Sequence, residues 1–90
     1  MSDSAVVQTR NLPKKWKTLR YKIADWATEV SMSRLHGGEF VETSTVAFVR
    51  HHYTNYEELL ETGADYLPTK QAATQLATDI LNAAYGSQWQ

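Results

Sequence analysis

The sequence predicts an all-α fold, a small bundle of about four helices with a long amphipathic first helix. Two long segments repeat apolar residues every three or four positions, the spacing of one helix face. No two segments resemble a matched pair of strands. A chain of 90 residues has room for one hydrophobic core. We therefore expect a single helical domain over residues 11–86, preceded by a flexible leader at 1–10 and followed by a C-terminal tail at 87–90.

The first helix is predicted within NLPKKWKTLRYKIADWATEVSMSRLHGG. Asn11 or a neighbour can cap it, and Pro13 suits its first turn. Gly37 and Gly38 suit its end. Its apolar residues are spaced three and four apart: Trp16, Leu19, Ile23, Trp26 and Val30. At about 100° per residue these side chains form one stripe, which leaves most of the basic residues facing solvent.

The second element, within EFVETSTVAFVRHHY, has features of both a strand and a helix. Its β-branched residues favour a strand, but a lone strand cannot satisfy its own backbone. We therefore predict a helix from near Ser44 to about Tyr53, with Val46, Val49 and Tyr53 facing inward. A short extended segment near 40–43 remains an alternative for the residues before it.

The third helix is short and is predicted from TNYEELLETG. Thr54 and Glu57 have the spacing of a capping box, in which each side chain accepts from the other residue's backbone N–H. Gly63 suits the end of this helix. The residues expected to face inward are Tyr56, Leu59 and Leu60.

The fourth helix is predicted to begin at Pro68 or Thr69 and to end before Gly86. Its inward positions are expected at Ala72, Leu76, Ile80 and Ala84. Small alanine side chains would allow close packing against the first helix.

Basic and acidic residues are separated along the chain, although the net charge is only −1. Residues 1–22 contain six Lys and Arg against one acid, a net of +5. The remaining 68 residues contain three against nine, a net of −6. Such a charge dipole would steer a charged partner towards one end of the molecule.

Several classes of protein are disfavoured by composition. With no cysteine, the chain forms neither a disulfide nor a thiolate zinc site. MSDSAVVQTR lacks the apolar run of a signal peptide, and no segment approaches the roughly 20 apolar residues that span a bilayer. We expect a cytoplasmic protein with no membrane partner.

The densest chemistry lies in VRHHYTNYEELL, residues 49–60. One interpretation is structural: basic residues are favoured at a helix C-terminus, and Thr54 separates two helices. The other is a surface that binds a phosphate or an unpaired base through cationic, hydrogen-bonding and stacking side chains. The residues of this ligand-binding or structural motif are Arg50, His51, His52, Thr54 and Tyr56.

We predict no catalytic residue, metal ion or cofactor, and hence no enzyme. The chain has no HExxH, no GxSxG, no glycine-rich phosphate loop and no cysteine nucleophile. A metal site built on His36, His51 and His52 is disfavoured, because adjacent histidines on a helix point about 100° apart.

VAFVRHHYTNYEELLETG and the alanine-rich helix behind it, roughly residues 46–84, resemble the C-terminal half of an uncharacterised bacterial family. The shared signature is Arg-His, two variable residues, Thr, a variable residue, Tyr, an acid and a Leu pair. It matches here at Arg50, His51, Thr54, Tyr56, Glu57, Leu59 and Leu60. The first helix lies outside this resemblance, and Glu57 stands where the family more often has aspartate. The resemblance implies that Arg50, His51 and Tyr56 form a unit, and it implies no activity.

The function predicted from these patterns is a small non-enzymatic module that binds nucleic acid through its basic N-terminal helix, because Lys and Arg supply most of the affinity for phosphate. The predicted nucleic-acid-binding residues are Arg10, Lys14, Lys15, Lys17, Arg20, Tyr21 and Lys22. The alternative is a protein-protein interaction module, a small subunit, adaptor or inhibitor, that uses the charge dipole and aromatic anchors such as Trp89. A further alternative is a homodimer in which the long first helix pairs with a copy of itself.

Overall fold

The computed structural model describes residues 6–35 and 44–86, and within them it has four helices and no strand. The helices are α1 (Trp16–Leu35), α2 (Thr45–Tyr53), α3 (Tyr56–Glu61) and α4 (Tyr66–Tyr85). The predicted all-α fold of about four helices with a long first helix is therefore confirmed. The extended segment considered for 40–43 and the tail at 87–90 lie outside the described residues.

Helix α1 begins later than its sequence signals predict. Pro13 lies before the helix, which starts at Trp16, and Asn11 adopts a left-handed φ of 57°. The reason is tertiary: the Arg10 backbone N–H donates to Tyr53 O at 2.8 Å, so the chain turns after this contact before α1 can begin. The cap and first-turn assignments at Asn11 and Pro13 are therefore wrong.

The apolar stripe of α1 packs against the core over its middle. Leu19 and Ile23 are buried, and Trp26 is partly buried, with its ring stacked on Phe48 at a centroid distance of 4.7 Å. At the start of the stripe, the Trp16 side chain is exposed. The core contact of α1 is thus about two turns long.

Helix α2 forms as predicted. Ser44 is its N-cap, and the Ser44 hydroxyl accepts a hydrogen bond from the Ala47 backbone N–H at 3.0 Å. Val49 and Tyr53 are buried and Val46 is partly buried.

Helix α3 has the predicted position but not the predicted cap. Its N-cap is Asn55, whose side chain makes no capping hydrogen bond. The capping box between Thr54 and Glu57 is wrong: the Thr54 hydroxyl donates to Arg50 O and accepts from the Tyr56 N–H rather than from the Glu57 N–H, and the Glu57 side chain pairs with His51. Gly63 follows the helix with a φ of 99°, a conformation that glycine adopts without strain.

Helix α4 lies at the centre of the bundle and packs against the other three helices. It starts at Tyr66 rather than at the predicted Pro68 or Thr69, and it ends before Gly86 as predicted. Gly86 adopts the left-handed conformation, and its N–H donates to Asn82 O. Its buried positions are Thr69, Ala73, Ala77, Ile80, Leu81 and Ala84. Ile80 and Ala84 were predicted to face inward, but Ala72 is exposed and the adjacent Ala73 takes its place in the core.

Residues 6–10, assigned to a flexible leader from the sequence, are hydrogen-bonded to the α2–α3 connection. Asn55 N–H donates to Gln8 O at 3.0 Å, and the Asn55 amide side chain accepts from Gln8 N–H and donates to Val6 O. Thr9 and Thr54 form an isolated antiparallel bridge. This part of the leader therefore belongs to the folded body, whereas residues 1–5 lie outside the described residues.

In the part of the chain that the structure describes, no helix is both long and apolar enough to cross a membrane.

Candidate functional site

The seven residues predicted to bind nucleic acid divide into two groups in the structure. Two arginines are tied to the body of the protein: Arg10 pairs with Glu58 at 2.9 Å, and Arg20 Nη1 donates to Ala84 O at 2.8 Å. The second contact lies in the last turn of α4, where the helix carbonyls carry partial negative charge. Arg20 therefore has a structural role that the sequence pattern did not reveal.

The other five residues are solvent-exposed and form what we call the basic face: Lys14, Lys15, Lys17, Tyr21 and Lys22. Tyr21 is 62% exposed, and Lys17 Nζ lies 5.9 Å from the centre of its ring. Within residues 6–35 and 44–86, none of the four lysines forms an ion pair. The basic face is therefore open to a partner.

The position of the basic face on α1 is electrostatically unfavourable in the free protein. A helix N-terminus carries a partial positive charge, and carboxylates are usually favoured there. The first turn of α1 contains no acid, while Lys14, Lys15 and Lys17 lie in or next to it. An anionic group bound at this end would be attracted by the lysines and by the helix dipole together.

The second candidate region is the join between α2 and α3, which we call the junction: Arg50, His51, Thr54, Tyr56 and Glu57. Arg50 Nη1 donates to Thr74 Oγ1 of α4 at 3.1 Å, and the guanidinium carbon lies 5.3 Å from the centre of the Tyr56 ring. Arg50 Nε is buried and has no hydrogen-bond partner among the described residues. Arg50 thus links α2, α3 and α4.

The two adjacent histidines have different surroundings. His51 Nδ1 lies 2.6 Å from Glu57 Oε2, and its ring meets the Tyr56 ring edge-on at 5.4 Å. His52 is exposed, and its ring lies 4.6 Å from that of Phe48. His51 therefore contacts α3, whereas the ring neighbour of His52 lies in its own helix, and the two side chains point in different directions, as expected for neighbours on a helix.

Thr54 is the buried polar centre of the junction, with 2% of its surface exposed. Its hydroxyl donates to Arg50 O and accepts from the Tyr56 backbone N–H at 3.2 Å. Tyr56 is also buried and contacts both Arg50 and His51. The structure thus brings Arg50, His51 and Tyr56 together, the unit implied by the resemblance.

Sequence reasoning missed two residues next to the junction, Tyr66 and Lys70 of α4. Lys70 Nζ lies 5.5 Å from the centre of the Tyr66 ring. A hydrogen bond from Lys70, followed by its positive charge, lowers the pKa of Tyr66. Burial raises the pKa of Tyr56, and the adjacent Tyr66 raises it further. The four-residue spacing of Tyr66, Lys70 and Thr74 was the available signal, because it places them on one face of a helix.

An open groove of about 410 Å³ runs along this face of α4. It is lined by Leu67, Lys70, Gln71, Thr74, Gln75 and Thr78. Because Thr74 also receives the bond from Arg50, the junction adjoins the groove.

Metal binding finds no support in the part of the chain that the structure describes, where no three His, Cys, Asp or Glu side chains are grouped to hold an ion. His36, the third histidine considered above, lies outside the described residues.

Comparison with known families matches residues 9–89 to the profile of an uncharacterized conserved protein family, DUF2293. The chain belongs to this family. The match covers α1 as well as residues 46–84. No curated protein and no solved structure matches the chain.

Proposed function

We propose that this member of the DUF2293 family is a non-enzymatic module that binds single-stranded nucleic acid through its basic face. The observation that carries the proposal is the exposed Tyr21 ring, surrounded along the chain by four exposed lysines with no ion pair within the described residues. Lysines attract the phosphates, and an exposed aromatic ring offers a surface for an unpaired base.

Binding should be weak and strongly dependent on salt. Contacts from four lysines would release about three counterions from a single strand. A plot of the logarithm of the binding constant against the logarithm of the salt concentration should therefore have a slope of about −3. Asp25 and Glu29 are exposed further along α1 and repel the strand there. The expected footprint is therefore short and confined to the N-terminal end of α1.

Fluorescence anisotropy with labelled, unphosphorylated single- and double-stranded oligonucleotides tests this proposal. We expect saturable binding at low salt, a preference for single strands, and its loss when Lys14, Lys15 and Lys17 are changed to alanine. Tyr21→Ala should weaken binding of single strands by about fivefold or more, since stacking contributes about 1–3 kcal/mol per base.

The matched control compares two single substitutions that remove one positive charge each. Lys17→Gln removes it from the basic face, and Lys70→Gln removes it from α4. Equal effects of the two substitutions would mean that only the net charge matters and would contradict the proposal. Absence of binding even at low salt would also contradict it.

A second candidate function, protein-protein interaction, is favoured by the apolar groups exposed close to the basic face in sequence. Val6 is 61% exposed and Trp16 is 38% exposed. Large apolar side chains beside lysines are typical of an interface anchor with a charged rim. If no nucleic acid binds, co-purification with Trp16→Ala as the negative control is the experiment for this alternative.

A further inference from the structure

We infer that Arg50, Lys70 and Thr74 form a second anion site, which binds a phosphate monoester on a compact polar body. Free nucleotides and the 5′-phosphorylated ends of oligonucleotides share this chemistry. The site lies where the junction meets the groove of α4, and it does not rest on the function proposed for the basic face.

The first argument is the distribution of charge. Residues 23–90 contain only three Lys and Arg but nine Asp and Glu. Two of these three cations, Arg50 and Lys70, are brought to one place by the packing of α2 on α4. Neither forms an ion pair in the described part of the chain, whereas the nearby Arg10 and His51 each pair with a glutamate. Two cations without carboxylates favour an external anion.

The second argument is geometric. Thr74 accepts from Arg50 Nη1 at 3.1 Å, and Lys70 lies one helical turn before Thr74 on the same face of α4. Arg50 is also held against the Tyr56 ring, so its guanidinium is already ordered. A planar guanidinium beside an ammonium is a common arrangement for phosphate recognition.

The tyrosines show that the charges of Arg50 and Lys70 act on the same small volume. The pKa of Tyr66 is lowered, first by its hydrogen bond from Lys70 and also by the charge of Arg50. The pKa of Tyr56 is raised mainly by burial, while both cations act to lower it. Arg50 and Lys70 thus favour negative charge at the position of the Tyr66 side chain, which is 53% exposed to solvent.

The size and lining of the groove indicate which chemical group, attached to the phosphate, would fit there. Its volume of about 410 Å³ lies within the range of small-molecule sites, near the lower end. Beyond Lys70 it presents the side chains of Gln71, Gln75 and Thr78, which offer hydrogen bonds, and that of Leu67, which is 64% exposed. This lining suits a polar ring or sugar better than an acyl chain.

NMR titration of the full chain tests the inference, with backbone amide shifts as the readout. The ligands are inorganic phosphate, a nucleoside, its 5′-monophosphate, and a short oligonucleotide with and without a 5′-phosphate. We expect saturable shifts along residues 66–78 with phosphate and with the monophosphate, and none in this segment with the nucleoside. The free nucleotide and the phosphorylated oligonucleotide then distinguish the two sources of the ligand.

Lys70→Gln is the decisive variant, because Lys70 is only partly buried and its loss should leave the fold intact, whereas Arg50 substitutions also break the junction. We expect at least about tenfold weaker binding of the monophosphate, corresponding to the loss of one charge-assisted hydrogen bond. With the monophosphate, the Lys14, Lys15, Lys17 triple alanine variant should show the same shifts along residues 66–78 as the parent protein.

Three results would overturn the inference: no shifts with phosphate or monophosphate at low salt, equal affinity in Lys70→Gln, or shifts confined to α1. These results are separate from those that test the basic face, because unphosphorylated oligonucleotides are used there. Either site can therefore fail without the other.

Discussion

The basic face and the junction have similar compositions and opposite environments. Both combine cations with tyrosine, yet Tyr56 is 3% exposed and contacts Arg50 and His51, whereas Tyr21 is 62% exposed and the cation over its ring, Lys17, comes from its own helix. At the junction the polar groups bond to other elements of the chain. On the basic face they remain available to a partner, so composition alone does not distinguish a structural cluster from a binding surface.

This difference predicts that substitutions at the two regions change different measured quantities. Changes at the junction should lower the free energy of unfolding, because they remove contacts between helices. Changes on the basic face should leave stability nearly constant and alter binding. Paired substitutions of the same residue type test this directly.

The largest expected effect comes from the two tyrosines. Tyr56→Ala removes a buried ring and should lower the free energy of unfolding by about 3–5 kcal/mol, the range for large aromatic truncations in a core. Tyr21→Ala, at an exposed site, should change it by less than about 0.5 kcal/mol. Urea unfolding followed by circular dichroism measures both. Similar losses in the two variants would show that Tyr21 is part of the core.

The next effect concerns a single hydroxyl. Thr54→Val keeps the shape but leaves Arg50 O and the Tyr56 N–H without their partner in a buried place, so we expect a loss of about 1–3 kcal/mol. Thr28→Val is the matched control, because the Thr28 hydroxyl is exposed and donates to Ala24 O in its own helix. The control should lie within about 0.5 kcal/mol of the parent protein. A neutral Thr54→Val would mean that solvent reaches the junction.

The third prediction is a substitution that should increase stability while it removes oligonucleotide binding. Lys17→Glu places a carboxylate in the first turn of α1 and should raise the free energy of unfolding by about 0.3–1 kcal/mol, while oligonucleotide binding is lost. Lys22→Glu is the control: it lies beyond the first turn, so it should weaken binding without this gain in stability. A loss of stability in Lys17→Glu would show that the contact between Lys17 and Tyr21 outweighs the helix dipole.

The smallest effect is seen only in alkaline solution. Burial raises the pKa of Tyr53 and Tyr56 above about 10, so the unfolded chain releases these protons first and stability should decrease as pH rises through that value. Tyr66 should ionise earlier, because its hydrogen bond from Lys70 lowers its pKa. Tyrosinate absorbance as a function of pH, with Tyr66→Phe to assign the first step, measures the order. Lys70→Gln should move the Tyr66 step to higher pH, and no movement would contradict the assigned cause.

The helices that the sequence predicted well are those whose signals are local. Ser44 caps α2 through a backbone N–H three residues away, and Gly86 ends α4 by adopting a positive φ. Both effects depend on a few neighbouring residues, so they survive in any tertiary arrangement. The resulting all-α fold follows from such signals and from the apolar spacing.

The predictions that failed were those in which a distant residue competes with a local pattern. Glu57 has capping-box spacing to Thr54, yet it pairs with His51 once α3 packs against α2. Ala72 and Ala73 are equally small and apolar, and only the packing of α4 against the other helices decides which of them enters the core. A hydrophobic period cannot choose between adjacent alanines, because the two patterns bury almost the same apolar surface.

The sequence by itself determined the number and approximate position of the helices, the charge separation and the concentration of basic residues near α1. Only the tertiary structure decided which cations are used internally. Arg10 and Arg20 bond to the body, whereas the lysines of the basic face form no ion pair within the described residues. Arg50 of α2 bonds to Thr74 of α4, one helical turn after Lys70. The physical reason is the separation along the sequence between the residues that interact. Helix formation depends on neighbours within about four residues, whereas a charge is satisfied by whichever group the fold brings within hydrogen-bond distance.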